Sequence, residues 1–267
     1  MHYKTAIIGG TFLGLGYGLS HTEDSVLIES SGSLGWEFID AMNARSSWSA
    51  MESLPKLSSD YFTQMKERNI LTNDKVHLPA MAPLLFQFLK DSKLKYHFLT
   101  HIVSVNKVEN NFEIKLYNQN GFSTIYAEQI LDTTNLGYRQ TEKKSNQYIS
   151  ATLHSGSNTD HNFSLSGSDF KIIKGNLLSE AFLQIEIDVS AAWDVARKKI
   201  HDFWIDRPAA LKEWELASVA TRLDVLPVNS KGWSKDNFTW LPGVSFENPL
   251  LAMSKGEMME FFAEVVA

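Results

Sequence analysis

The chain has 267 residues, 43% of them apolar and 12% aromatic, enough to bury a sizeable core in one or two domains. A net charge of −6 gives no basic field for nucleic acid, and the absence of cysteine excludes disulfides, thiolate metal sites and every thiol-based mechanism. There is no repeat, and no apolar run approaches the roughly 18 residues of a membrane-spanning helix, so neither nucleic acid nor membrane is expected as a partner.

The N-terminal stretch KTAIIGGTFLGLGYGLSHTEDSVLIESSG carries the strongest pattern. Lys4 followed by apolar Ala6 to Leu19 has the outline of a secretory signal. Five glycines and a threonine interrupt that run, however, no small-x-small cleavage site follows, and SVLIES continues as a strand. Thr5 to Ile8 reads as a buried strand ending in glycine. Phe12 to Ser20 reads as a helix whose small Gly14, Gly16 and Gly18 permit close packing, and Ser25 to Ile28 as a second strand ending at Glu29. Strand, glycine turn, helix, strand, acid is the order of a dinucleotide-binding unit. Its first glycine permits the tight turn, its second lets backbone approach a pyrophosphate, and its last packs helix on strand. The helix N-terminus offers unpaired N–H groups and a positive dipole end. Gly9 and Gly14 fill the first and last places and Thr11 the middle. There its side chain would either crowd a pyrophosphate or donate a hydrogen bond to it. Glu29 lies 20 positions after Gly9, the spacing of an acid that takes ribose hydroxyls.

Further along, Pro79 to Leu89 is apolar at helical spacing and Tyr96 to Leu99 is a short strand. Val103 to Val108 and Phe112 to Leu116 alternate as strands about a turn at Asn110-Asn111. Asn120-Gly121 makes a second turn, and Ser123 to Ala127 and Gln129 to Thr133 follow as two more strands. YISATLHS and DFKIIKGNLLSEAFLQIEID contain strand-like runs. Ser190 to Phe203 is an amphipathic helix with Trp193, Ala196 and Ile200 on one face, and Pro208 opens another helical stretch to about Leu223. His154 and His161 lie in a Ser/Gly/Asn/Asp-rich loop with no third ligand, so no metal site is expected. His77 and His101 read as structural or surface histidines.

KTAIIGGTFLGLGYGL followed by SVLIESSGSLGWEF resembles the opening of FAD-dependent oxidoreductases with the glutathione-reductase-like Rossmann fold. The three-stranded meander, the strand ending ILDTTNLG and the closing WLPGVSFENPLLAMSKGEMMEFFAEVVA stand in that family's order. The resemblance implies an α/β fold: a discontinuous FAD-binding domain of residues 1–138 and 225–267 with a meander crossover, and a small α+β cap of 139–224. It implies non-covalent FAD. Gly9, Thr11, Phe12, Leu13 and Gly14 would hold the pyrophosphate, and Glu29 and Ser30 the adenosine ribose. Gly35 and Trp36 would form the following loop, with Trp36 near the flavin, and the Val103 backbone would meet the adenine. Thr133, Asn135, Gly243, Asn248 and Gly256 would line the flavin side, with Gly256 opening the last helix. It further implies a cytoplasmic enzyme moving hydride or electrons from a small-molecule substrate, with homo- or hetero-oligomerisation left open. The family's glycines are absent at Thr11 and Asn135, Val244 replaces its usual aspartate, and no side chain stands out as a catalytic base. A degenerate binding or scaffold subunit, and a simple NAD-dependent enzyme, are the alternatives. The meander and the C-terminal segment argue against the second.

Overall fold

The computed structural model describes residues 1–44, 48, 53–156 and 165–260. The first sheet is organised by β1 (His2–Ile8), which pairs in parallel with β2 (Ser25–Ile28) on one side and with β8 (Gly121–Asp132) on the other. Around them the order runs β14 (Trp233–Lys235), β15 (Phe238–Trp240), β8, β1, β2, β5 (Lys95–His97). In β1, Ile7 enters one core while Ala6 and Ile8 enter another on the opposite face. A strand buried on both faces reads as an unbroken apolar run, which is how AIIG reads.

On one face lie α1 (Phe12–Ser20), α2 (Lys56–Glu67), α3 (Met81–Lys90) and α5 (Pro249–Glu257), with the short hairpin β3 (Leu71–Thr72) and β4 (Lys75–Val76) beside them. On the other, β6 (His101–Val108) and β7 (Asn111–Asn118) form the meander with β8. α1 has the bounds expected of it. Of its glycines, Gly14 and Gly18 lie against Ile7 of β1 and Gly16 meets α5: a Cβ at Gly16 would stand 2.0 Å from the Met253 carbonyl oxygen, and one at Gly256 of α5 2.1 Å from that of Leu13.

The second sheet is antiparallel. β9 (Lys144–Ser155) is its spine, flanked by β11 (Glu180–Ile187) and β10 (Phe170–Lys174) on one edge and by β12 (Trp214–Val219) and β13 (Asp224–Pro227) on the other. α4 (Trp193–Ile205) packs on it through Ala196 and Ile200. Phe182 of β11 reaches into the core of the first sheet and joins the two.

Several sequence expectations are corrected. Ser123–Ala127 and Gln129–Thr133 are one strand, β8, whose first half pairs with β7 and whose second half pairs with β1. The first meander turn falls at 109–110, with Glu109 at φ +54°, because Asn111 already pairs with Val108. Met81, not Pro79, begins the regular part of α3, after a 3-10 turn over Leu78–Ala80. The stretch from Pro208 gives only a 3-10 turn over Ala209–Leu211, and then the strand β12, because pairing with β9 overrides its helical composition. Trp193 is 37% exposed at the start of α4 rather than on its buried face. Gly256 sits in the last turn of α5, not at its start; Asn248 caps that helix and Pro249 opens it. α5 ends at Glu257, Met258 beyond it is exposed, Met259 packs against the core, and 261–267 lie outside the described residues.

Candidate functional site

The carboxyl ends of β1, β2 and β8 meet a cleft of about 620 Å³ that runs on to the second sheet. Gly9, Glu29, Ser30 and Trp36 form one wall, and Thr100 to Ile102 continue it. Thr134 to Tyr138 also line it, as do Lys144 of the second sheet, Trp193 of α4 and Arg222. Open α/β sheets bind ligands at this position, beyond the carboxyl ends of their strands.

The turn from β1 into α1 is tied internally. Thr11 is the N-cap: its hydroxyl accepts the Gly14 N–H (3.0 Å) and donates to the Thr133 hydroxyl (2.7 Å), which donates in turn to the Ile8 carbonyl (3.0 Å). Thr11, Phe12, Leu13 and Gly14 are all buried and do not line the cleft. Thr11 therefore acts on the chain itself, whichever way a ligand is oriented.

Glu29 ends β2 with 2% exposure. Its Oε2 accepts the Gly10 N–H (2.7 Å) and the Trp36 indole N–H (3.0 Å), and its Oε1 accepts the N–H and hydroxyl of Ser31 (2.7 Å each). The Ser30 hydroxyl leans on Oε1 at 3.4 Å. The loop after β2 folds back over the turn: Gly35 donates its N–H to the Gly10 carbonyl at 2.7 Å. Gly35 has φ +62°, and a Cβ there would meet the Phe12 ring at 2.4 Å, so only glycine closes this loop. Trp36 is 8% exposed, and the Arg222 guanidinium lies 4.6 Å above its ring.

One residue that sequence reasoning missed lies at the centre of this region. Glu37 is fully buried; its Oε1 accepts the Phe12 N–H at the start of α1 (2.7 Å), and its Oε2 has no partner. Burial pushes its carboxyl up to about 8, the Phe12 N–H opposing and the charges of Glu29 and Asp40 adding. Its position, directly after the glycine loop, was the available signal.

The remaining expected positions divide. Asn135 lines the cleft with a buried, unpartnered Oδ1. Thr133 is buried behind it, and Gly243 donates its N–H to the Thr133 carbonyl (3.1 Å) beside Thr11 and Glu37. Val103 is 54% exposed on β6 beyond the Thr100–Ile102 wall. Asn248 and Gly256 belong to α5, the first as its cap and the second in its seam with α1. Asp132 ends β8, where burial pushes its carboxyl up to about 6 while Thr134 and the Tyr138 N–H bind it. His154 lies on β9, and His161 lies outside the described residues. Among the described residues, no three His, Asp or Glu side chains gather as a metal site, and no helix is long and apolar enough to cross a membrane.

An FAD does not fit these residues as they stand. The acid that would take its ribose hydroxyls is already bonded by donors of the chain on both oxygens. The helix start that would take its pyrophosphate is buried, with the Phe12 N–H bound to a carboxylate and the Gly14 N–H to Thr11.

Neither a protein-family model nor a curated protein sequence matches the chain. Solved structures share its fold. p-Nitrophenol 4-monooxygenase from Pseudomonas putida DLL-E4 superposes with a TM-score of 0.61 at 12% identity, over 96% of this chain and 76% of that one. Glycine oxidase from Geobacillus kaustophilus gives 0.60 at 10% identity, over 96% and 92%. Aklavinone-11 hydroxylase, solved in a ternary complex with FAD and aklavinone, gives 0.52 at 12% identity, over 89% of this chain and only 56% of its own length. At such identities the likeness shows the fold alone: this chain has the parallel-cored α/β architecture of FAD-binding Rossmann domains, with an antiparallel sheet inserted.

Proposed function

We propose that the chain is a flavin-fold protein without redox chemistry, which binds a ligand in the cleft between its two sheets and serves as a binding or scaffold subunit. The saturation of Glu29 carries this reading. A ribose hydroxyl needs a free lone pair on that carboxylate, and the Gly10 N–H, the Trp36 indole and Ser31 already take both oxygens. Displacing the Gly10 N–H or the Trp36 indole leaves a buried donor unpaired, at about 1–3 kcal/mol each, while Ser31 is only part-buried.

A second reading keeps the FAD-dependent oxidoreductase, with a small-molecule substrate. The cleft itself favours it, since it lies at the position where this architecture takes ligands and is bordered by Gly9 and Glu29. A bound flavin would supply the electron transfer. The chain would then have to release Trp36 and Glu37 from the turn.

The two readings separate in one spectrum. The protein purified without added cofactor is expected to be colourless from the near ultraviolet through the visible, and to stay so after incubation with FAD and desalting. A flavin band that bleaches on reduction overturns the non-redox reading and turns the search to substrates.

A further inference from the structure

A second cavity, of about 450 Å³, opens between the meander and the β14–β15 hairpin. Three elements converge on it: β6 and β7 of the meander, the hairpin, and the loop after β8. Gly137 and Tyr138 line both this cavity and the first cleft; the rest of its lining is its own. Its size is that of a small-molecule site.

Much of that lining is aromatic. Trp233 pairs with Trp240 across the hairpin and stacks on Phe238, with ring centroids 5.4 Å and planes 22° apart. Tyr138 and Phe112 flank the Phe238 ring at 6.0 and 6.2 Å. Filling the core accounts for four of these rings. Phe112 and Trp240 are buried, and Tyr138 and Phe238 pack against the core behind them. It does not account for Trp233, which sits on the edge strand and is 41% exposed. That side chain is nevertheless fixed, since its ring lies on Phe238 and its indole N–H donates to Glu142 at 3.1 Å. A tryptophan held in one orientation at the mouth of a cavity is a stacking surface that a ligand need not order.

Charge is unevenly placed around it. Lys107, Arg139 and Lys235 line the cavity and are exposed, and among the described residues none of the three forms an ion pair. Three acids line it too. Asp132 is buried and takes donors from Thr134 and Tyr138, and Glu142 takes the Trp233 indole, which leaves Asp236 to face the three cations. In a chain of net charge −6 this is a local reversal of sign, and it draws an anion.

We infer that this cavity is a second ligand site, for a planar aromatic anion: the ring lies on Trp233, and the acid group meets Lys107, Arg139 and Lys235. The site is separate from the first cleft and does not depend on whether that cleft takes a flavin.

The test is calorimetric titration of the full chain with sodium 2-naphthoate, with 2-naphthyl phosphate and with the neutral 2-naphthalenemethanol. Wild type is expected to bind the anions saturably, and the alcohol about tenfold more weakly. The tighter of the two anions tells a carboxylate ligand from a phosphate. Trp233→Ala should weaken the anions about tenfold, and Lys235→Glu about fivefold. Both residues are exposed on the edge strand, so the fold should survive, as an unchanged Tm would report. No saturable binding of either anion overturns the inference. Binding that either substitution leaves unweakened overturns it as well, because the ligand is then held elsewhere. So does an alcohol that binds as tightly as the anions. Should Trp233→Ala fail to fold, Lys235→Glu decides. A bleachable flavin in the wild type sinks the non-redox reading and leaves this inference standing.

Discussion

The glycine turn between β1 and α1 has one buried glutamate on each side, and the two are treated oppositely. Glu29 gathers donors from Gly10, Ser31 and Trp36 and thereby ties the loop after β2 to the turn after β1. Glu37, eight residues later, has a single backbone donor and an orphaned oxygen. The comparison teaches that burial alone does not define an acid's role. Glu29 is a structural knot whose loss would leave donors stranded. Glu37 is an electrostatic burden tolerated because a helix start lies beneath it.

That contrast is open to measurement, and the largest effect is expected at the knot. Glu29→Ala strands the buried Gly10 N–H and Trp36 indole and unties the part-buried Ser31, and should lower stability in urea by about 3 kcal/mol. A loss below about 1 kcal/mol would show that water or neighbours replace the carboxylate, and the contrast would collapse. Next comes the seam beneath the turn. Gly16→Ala puts a methyl 2.0 Å from the Met253 carbonyl oxygen, and forcing α1 off α5 should cost about 3 kcal/mol by the same assay.

The Glu37 side is read through pH. Its folded carboxyl is raised from 4.5 to about 8, so the native state binds a proton that the unfolded state has released. Stability therefore falls as pH rises through that window. Asp132 acts with the same sign between 3.8 and about 6, Glu180 is also raised from 4.5 by burial and His97 is lowered from 6.5, so the Glu37→Gln protein, which shares all three, isolates the Glu37 contribution. Between pH 6 and 8 the wild type should lose about 2 kcal/mol that Glu37→Gln does not lose. Parallel curves for the two proteins would mean that Glu37 ionises freely. The smallest effect is expected from Arg222→Ala, which removes the guanidinium 4.6 Å from the Trp36 ring and should cost about 0.5–1 kcal/mol.

The half of the molecule built by local pattern was legible in the sequence. α1 and β2 fall where alternation, glycine and spacing put them, because a buried parallel strand and its crossover helix leave strong signals over few residues. β8 runs unbroken because no Gly, Pro or Asn stands between Ala127 and Gln129, so its continuity is readable from local residues. The Asn248-Pro249 start of α5 is another readable signal, since Asn caps and Pro opens a helix. β12 was not readable: WELASV has helical composition, and only its long-range pairing with β9 makes it a strand. The site was legible as positions but not as states. Spacing brought Glu29 to the turn, yet nothing local tells that its oxygens are taken. Glu37 is marked only by its charge, directly after the loop of Gly35 and Trp36.

The seam between α1 and α5 also sets an order of events during protein synthesis. α1 leaves the ribosome well before α5, and each presents backbone to the other at glycine. At about 5–20 residues per second, the N-terminal βαβ unit waits on the order of 10–50 s for the helix that covers it. During that interval Phe12 gains Phe38 and Tyr61 against it, but the side of α1 at Leu13 and Gly16 lacks its native partner. Nascent chains halted before residue 249 should therefore recruit holding chaperones, and release of α5 should be the step that ends the association.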